Sequence, residues 1–152
     1  MAGYDKLAQE VRVHPQSHFL IDQNRLKPSY ANIAFFLDLP PERFHASVSP
    51  LVRTFYYLDT DFSPDFNFGK VEMRSLNWQW DIYRDQIIVG DELTISPTQA
   101  AEHFLTKSFE IKSVRGEMLF IGWQTNPKAK CLSTIPPSRP YQCLEIIEAN
   151  EN

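Results

Sequence analysis

Phe104-Leu105-Thr106-Lys107-Ser108-Phe109-Glu110-Ile111-Lys112-Ser113-Val114-Arg115-Gly116-Glu117-Met118-Leu119-Phe120-Ile121-Gly122-Trp123-Gln124-Thr125 is the stretch that decides the fold. Two β-rich runs meet at Arg115-Gly116, where glycine can supply the positive φ of a tight hairpin. Two consecutive antiparallel strands are expected, the second closed by Pro127. Upstream, Gln86-Ile87-Ile88-Val89 breaks at Gly90-Asp91 and resumes as Glu92-Leu93-Thr94-Ile95, the pattern of a strand bent at its glycine and ended by Ser96-Pro97. Before it, Leu76, Trp78, Trp80 and Ile82 alternate with Asn77, Gln79, Asp81 and Tyr83, which predicts a half-buried strand. Strands are therefore expected over 71–83, 87–95, 104–114 and 117–126.

In the N-terminal half the period lengthens. Tyr30, Ile33, Ala34 and Leu37 fall at i, i+3, i+4 and i+7, so a short helix is expected, stopped by Pro40-Pro41. A second helix is expected over 49–58, opened by Ser49-Pro50 and keeping Leu51, Phe55 and Leu58 on one side. Ser17 to Asp22 reads as a short strand and the first ordered element, because the segment up to Pro15 is polar without a clear period. Residues 59–69 read as a loop that buries Phe62, Phe66 and Phe68. The expected class is α+β: an antiparallel sheet packed on segregated helices, in one domain over 1–152, with its core at about 15–126 and an irregular tail at 127–152.

Composition narrows the function. A hydrophobic content of 43% is enough to build a core, and a formal charge of −4 without basic runs argues against a nucleic-acid partner. No run of eighteen apolar residues offers a membrane span, and no leader is recognised, so a cytoplasmic protein is expected. Cys131 and Cys143 are accordingly read as reduced thiols. His14 and His18 are separated by Pro15, and Asp59, Asp61 and Asp65 lack the glycine and glutamate of a calcium loop, so no metal or other cofactor is expected.

The passage His18-Phe19-Leu20-Ile21-Asp22 running into Tyr30-Ala31, the passage Leu76 to Thr94 with Val89-Gly90-Asp91-Glu92-Leu93, and the hairpin Phe109 to Met118 together resemble the MaoC-like hydratase and dehydratase domains. That resemblance implies a hotdog fold, a curved antiparallel sheet wrapped around a central helix, with a homodimer or paired hotdog subunit. It implies a lyase acting on a 3-hydroxyacyl or enoyl thioester, or a protein that binds such a small hydrophobic ligand. The family's Gly-Asp-x-Asn-Pro-x-His segment corresponds here to Leu37-Asp38-Leu39-Pro40-Pro41-Glu42-Arg43. Asp38 and Pro41 match, and His45 lies two residues beyond the expected histidine.

Elimination of water needs a base at the α-carbon and an acid at the departing hydroxyl. Arg43 is permanently protonated and cannot be that base, so the catalytic pair implied is a modified Asp38/His45 dyad. Arg43, Tyr30, Phe55, Trp78 and Trp80 are the expected substrate-binding residues. Two other readings stand beside this one. One is a non-catalytic binding or assembly module. The other is an enzyme on a non-thioester natural product that uses residues such as Asp59, Arg74 or Tyr83.

Overall fold

The structure, a computed structural model, describes residues 3–25, 30–47, 65–133 and Cys143. The chain opens with α1 (Tyr4–Val13), β1 (Phe19–Asp22), α2 (Tyr30–Phe36) and a helix α3 over 41–47. Next come β2 (Phe66–Asn67), β3 (Val71–Arg74), a 3-10 turn at Asp81–Tyr83 and β4 (Ile87–Gly90). The series ends with α4 (Pro97–Glu102), β5 (Thr106–Lys112), β6 (Met118–Gln124) and α5 (Pro127–Ser133). Six strands form one sheet in the order β2-β3-β1-β4-β6-β5, so the class is α+β.

The C-terminal hairpin forms as its sequence predicts. β5 and β6 pair antiparallel with Phe109 opposite Gly122, and Gly116 turns the chain at positive φ. A Cβ at Gly122 would run into the Phe109 ring that lies over it. Gly122→Ala should therefore cost about 1–3 kcal/mol, read from urea unfolding, because the ring cannot move without disturbing the core.

The centre of the sheet differs from the wholly antiparallel expectation. β1 runs parallel to both neighbours, with Phe19 beside Val71 of β3 and Ile87 of β4. All four residues of β1 and of β4 are buried, which is why Phe19-Leu20-Ile21 and Ile87-Ile88-Val89 read as continuous apolar runs. Parallel neighbours need crossovers; α2 and α3 lie in the first, and the 75–86 segment forms the second.

One face of the sheet carries Phe19, Ile21, Val71, Met73, Ile87 and Val89 under α1 and α2. Here the structure corrects the opening segment: Tyr4, Leu7, Ala8 and Val11 fall at i, i+3, i+4 and i+7, form a helix and are buried. Lys70 closes that helix by donating from Nζ to the carbonyls of Val11 at 2.6 Å and His14 at 3.2 Å. The opposite face buries Leu20, Ile88, Ile121 and Trp123 against Ile95, Ala100 and Leu105.

Four further expectations are revised. Residues 76–83 form turns rather than a strand: Asp81 accepts from the Asn77 amide at 2.7 Å, and the Asn77 side chain accepts from the Gln79 amide at 3.0 Å. Such side-chain bonds compete with a sheet ladder for the backbone. Residues 92–95 likewise turn, because Asp91 accepts from the Leu93 amide and the Thr94 hydroxyl. Ser96-Pro97 starts a helix instead of only ending a strand, with Ser96 and Gln99 forming a reciprocal capping box. The tail begins as α5, with Pro127 in its first turn and Asn126 accepting from the Ala129 amide.

Cys131 and Cys143 form a disulfide between two fully buried positions, which corrects the reading of both as thiols. Sequence spacing alone could not show that α5 brings them to within 5.4 Å between Cα atoms. The helix expected at 49–58 and residues 59–64 lie outside the described residues. Of the aromatic loop, Phe66 is buried in β2 and Phe68 stacks on it at 6.3 Å.

Candidate functional site

The period of two along β1 and β3 places His18, Leu20 and Asp22 on the same face as Glu72 and Arg74, with Leu20 registered beside Glu72 and Asp22 beside Arg74. The β4 and β6 half of this face is apolar, whereas the β1 and β3 half is a charged stripe beneath the 75–86 segment.

Arg74 organises the stripe. Its Nη1 and Nη2 donate to the two oxygens of Asp81 at 2.8 and 2.7 Å, and its Nε donates to Glu72 at 2.9 Å. Asp81 is 1% exposed. Burial pushes its carboxyl up, but the Arg74 guanidinium and the Asn77 amide outweigh burial and hold it below the ordinary carboxylate range. The hydrogen bonds from Arg74 to Asp81, joined by Glu72, raise the guanidinium's own pKa against the opposing effect of burial. The other oxygen of Glu72 lies 3.1 Å from His18 Nε2, though without the alignment of a hydrogen bond, and 3.8 Å from Arg84 Nη1. A chain of charges thus runs from buried Asp81 through Arg74 and Glu72 to His18 and Arg84.

A cleft of about 250 Å³ opens on this chain, lined by His18, Glu72, Arg84, Asp85 and Gln86. Asp85 also borders a second cleft of about 480 Å³ whose walls include Tyr83, Thr125 and Lys128. Gln86 is held rigidly: its amide donates to the Thr125 hydroxyl at 2.9 Å, and its Nε2 donates to the Asp81 carbonyl at 2.8 Å. An imidazole beside a fixed carboxylate can exchange a proton, and an exposed guanidinium can hold an anion.

Two more carboxylates stand at the opposite ends of the strands. Burial raises the Asp22 carboxyl above its ordinary range, opposed by the amides of Leu76, Asn24 and Arg25 and reinforced by nearby Asp91. Burial also pushes Asp91 up, but Arg25, Thr94 and the Leu93 amide outweigh it and lower its pKa. Among the described residues no group of three or more His, Cys, Asp or Glu is placed to hold a metal ion.

The residues singled out from the sequence are distributed differently. His45 lines an apolar cavity of about 290 Å³ between α2 and α3, together with Ala31, Ala34, Phe35, Leu39 and Phe44. Asp38 ends α2 at positive φ, where its carboxylate pairs with Arg12 at 2.7 Å. That side chain is 86% exposed. Arg43 is exposed on α3, and its carbonyl accepts from Ser47. Tyr30 stacks on Phe66 at 4.0 Å and on Phe44 at 6.1 Å, which places it in the packing beneath the cavity. Trp78 is half-buried against the second core and stacks on His103 at 4.7 Å, whereas Trp80 is 55% exposed. Phe55 and Asp59 lie outside the described residues. Arg74 and Tyr83, named for the non-thioester reading, fall in the charged stripe and at its neighbouring cleft.

Sequence reasoning missed Glu72, Arg84 and Gln86 and considered His18 only as half of a metal pair. The available signal was the charged alternation Glu72 and Arg74 within an apolar strand, yet its partners become visible only through the parallel register. No helix among the described residues is long and apolar enough to cross a membrane. Compared with known proteins, the chain matches no family model, no curated protein and no solved structure.

Proposed function

We propose that the protein binds a small apolar or acyl ligand in the α2/α3 cavity without eliminating water from it. The observation that carries this reading is the separation of the two expected catalytic groups. His45 borders the cavity, whereas the carboxylate of Asp38 turns to Arg12 at the surface and does not contribute to the cavity's described lining. Dehydration needs both groups within hydrogen-bond reach of one substrate. The cavity walls, chiefly Ala31, Ala34, Phe35, Leu39 and Phe44, suit an apolar chain.

The thioester class and the hotdog wrap enter this proposal through the sequence resemblance alone. A parallel centre and a seven-residue α2 favour binding over the family's chemistry. Pairing of two copies belongs to the same proposal. It would not use the β5 edge, where exposed Lys107, Glu110 and Lys112 and two register shifts guard against strand addition. Placement in the cytoplasm is also part of the expectation, and the buried disulfide weighs against it.

Titration with butyryl and 3-hydroxybutyryl thioesters tests the proposal. Binding is expected for both, with no enoyl product. Ala31→Trp, at an exposed helical position on the cavity wall, should weaken binding at least tenfold. Asp38→Asn should leave binding unchanged. Turnover of the hydroxyacyl compound that disappears in Asp38→Asn would restore the lyase reading, and absence of binding to either compound would remove both.

A further inference from the structure

The charged cleft lies on the opposite face of the sheet from the cluster that includes Ile33 and packs against Phe44, and it carries a separate inference. We propose that the cleft lined by His18, Glu72, Arg84 and Gln86 is a second ligand site, for a small carboxylate that also bears a hydroxyl or ammonium donor.

Gln86 is 1% exposed, and its amide orientation is fixed because Nε2 donates to the Asp81 carbonyl. The Oε1 atom is consequently held in place as an acceptor, and among the described residues it has no donor. A buried acceptor without a donor is costly, and in a residue pinned from both sides it cannot relax to find one. Thr125 fixes the Gln86 backbone: its single hydroxyl hydrogen points at the Arg84 carbonyl at 2.6 Å, with the Gln86 carbonyl at 3.0 Å, while its oxygen accepts from the Gln86 main-chain amide. Gln86 thus borders the cleft with its backbone fixed by Thr125 and its buried side-chain oxygen held by the Nε2 bond, in place for a donor that enters there.

Arg84 supplies the complementary feature. Its side chain is 59% exposed and contacts Glu72 loosely at 3.8 Å, whereas Arg74 holds Glu72 at 2.9 Å. The guanidinium thus keeps donors that can grip a carboxylate with two parallel bonds. Glu72 and Asp85 flank it and would repel a dianion such as phosphate, so a monoanion with a compensating donor fits the charge pattern better. The volume of about 250 Å³ suits a compound of amino-acid size.

Nuclear magnetic resonance titration with L-serine, L-lactate and acetate provides the test. Saturable amide shifts at residues 18, 72 and 84–86 are expected with serine or lactate. Acetate, which lacks the donor, should bind at least tenfold more weakly. Arg84→Met, at a surface position that should not disturb folding, should reduce serine or lactate affinity at least tenfold. Gln86→Leu should bring their affinity down to that of acetate. Shifts absent from these residues, equal affinity for all three compounds, or an Arg84→Met protein that binds as the wild type does would each overturn the assignment. Acyl compounds are expected to shift residues 31–45 instead, so the two sites are read separately in one spectrum.

Discussion

Arg74→Met should destabilise the protein by about 3–5 kcal/mol at neutral pH, measured by urea unfolding. The substitution leaves the Asp81 carboxylate buried beneath the 75–86 segment without its cation and releases Glu72 toward His18 and Arg84. The pH dependence distinguishes this cause from lost packing. In the wild type the folded carboxyl of Asp81 is held below its ordinary value of about 4. Its contribution to stability is therefore present above that value and disappears as pH falls through the lowered one. In the variant, burial is opposed only by the hydrogen bonds from Asn77 and Gln86, so the same carboxyl rises and acidification should narrow the gap between the two proteins. Combining Arg74→Met with Asp81→Leu should recover most of the loss, since a pair replaced by apolar groups leaves no orphaned charge. A gap that is constant from pH 7 to pH 4, with no recovery in the double variant, would show that the pair is not the cause.

Reduction of Cys131–Cys143, or Cys143→Ser, should cost about 3 kcal/mol, the chain-entropy value for a closed loop of this order. For a chain of this size that corresponds to a fall in Tm of about 6–12 °C. The link anchors the tail to α5, which packs against the Asp81–Tyr83 turn, so loosening is expected to reach the charged stripe. Protein unfolded in guanidinium without reductant should expose no thiol to a colorimetric reagent. Two reactive thiols per chain, together with a melt unaffected by reductant, would contradict the bond.

The parts of the fold legible in the sequence are those whose signal is local. The 104–125 hairpin declares itself by two apolar runs and a glycine, and α2 by four apolar positions at helical spacing. Both survive because their partners are near in sequence or their burial is one-sided. The failures share a different physics. The alternation at 76–83 is a true period of two, yet Asn77 and Asp81 bond the backbone locally and convert it to turns, leaving Trp80 in solvent. α1 was hidden because charged residues fill its solvent face and dominate the segment's composition, while only four side chains mark its buried stripe. The parallel placement of β1 left only the continuous apolar runs at 19–21 and 87–89 as a sign, because register between distant strands leaves no trace in either strand's own pattern.

The candidate site follows the same division. Asp38 and His45 could be named because a motif lies along one segment, and their separation became visible only in three dimensions. The His18, Glu72, Arg84 and Gln86 cleft draws on three segments and depends on the register of Leu20 with Glu72 and Ile88. No single window of sequence contains it.

The position of β1 between β3 and β4 also constrains how the chain is made. A strand synthesised before both of its neighbours has no hydrogen-bonding partner on either side until residues near 71 and 87 have followed it. Its apolar run must wait exposed through that interval, and the loops that eventually close are long, which slows the pairing step. α1 can form in the meantime, but the surface that buries Leu7 and Val11 is completed only when the late strands arrive. Synthesis halted before β4 is accordingly expected to leave a nascent chain that chaperones hold rather than a folded half.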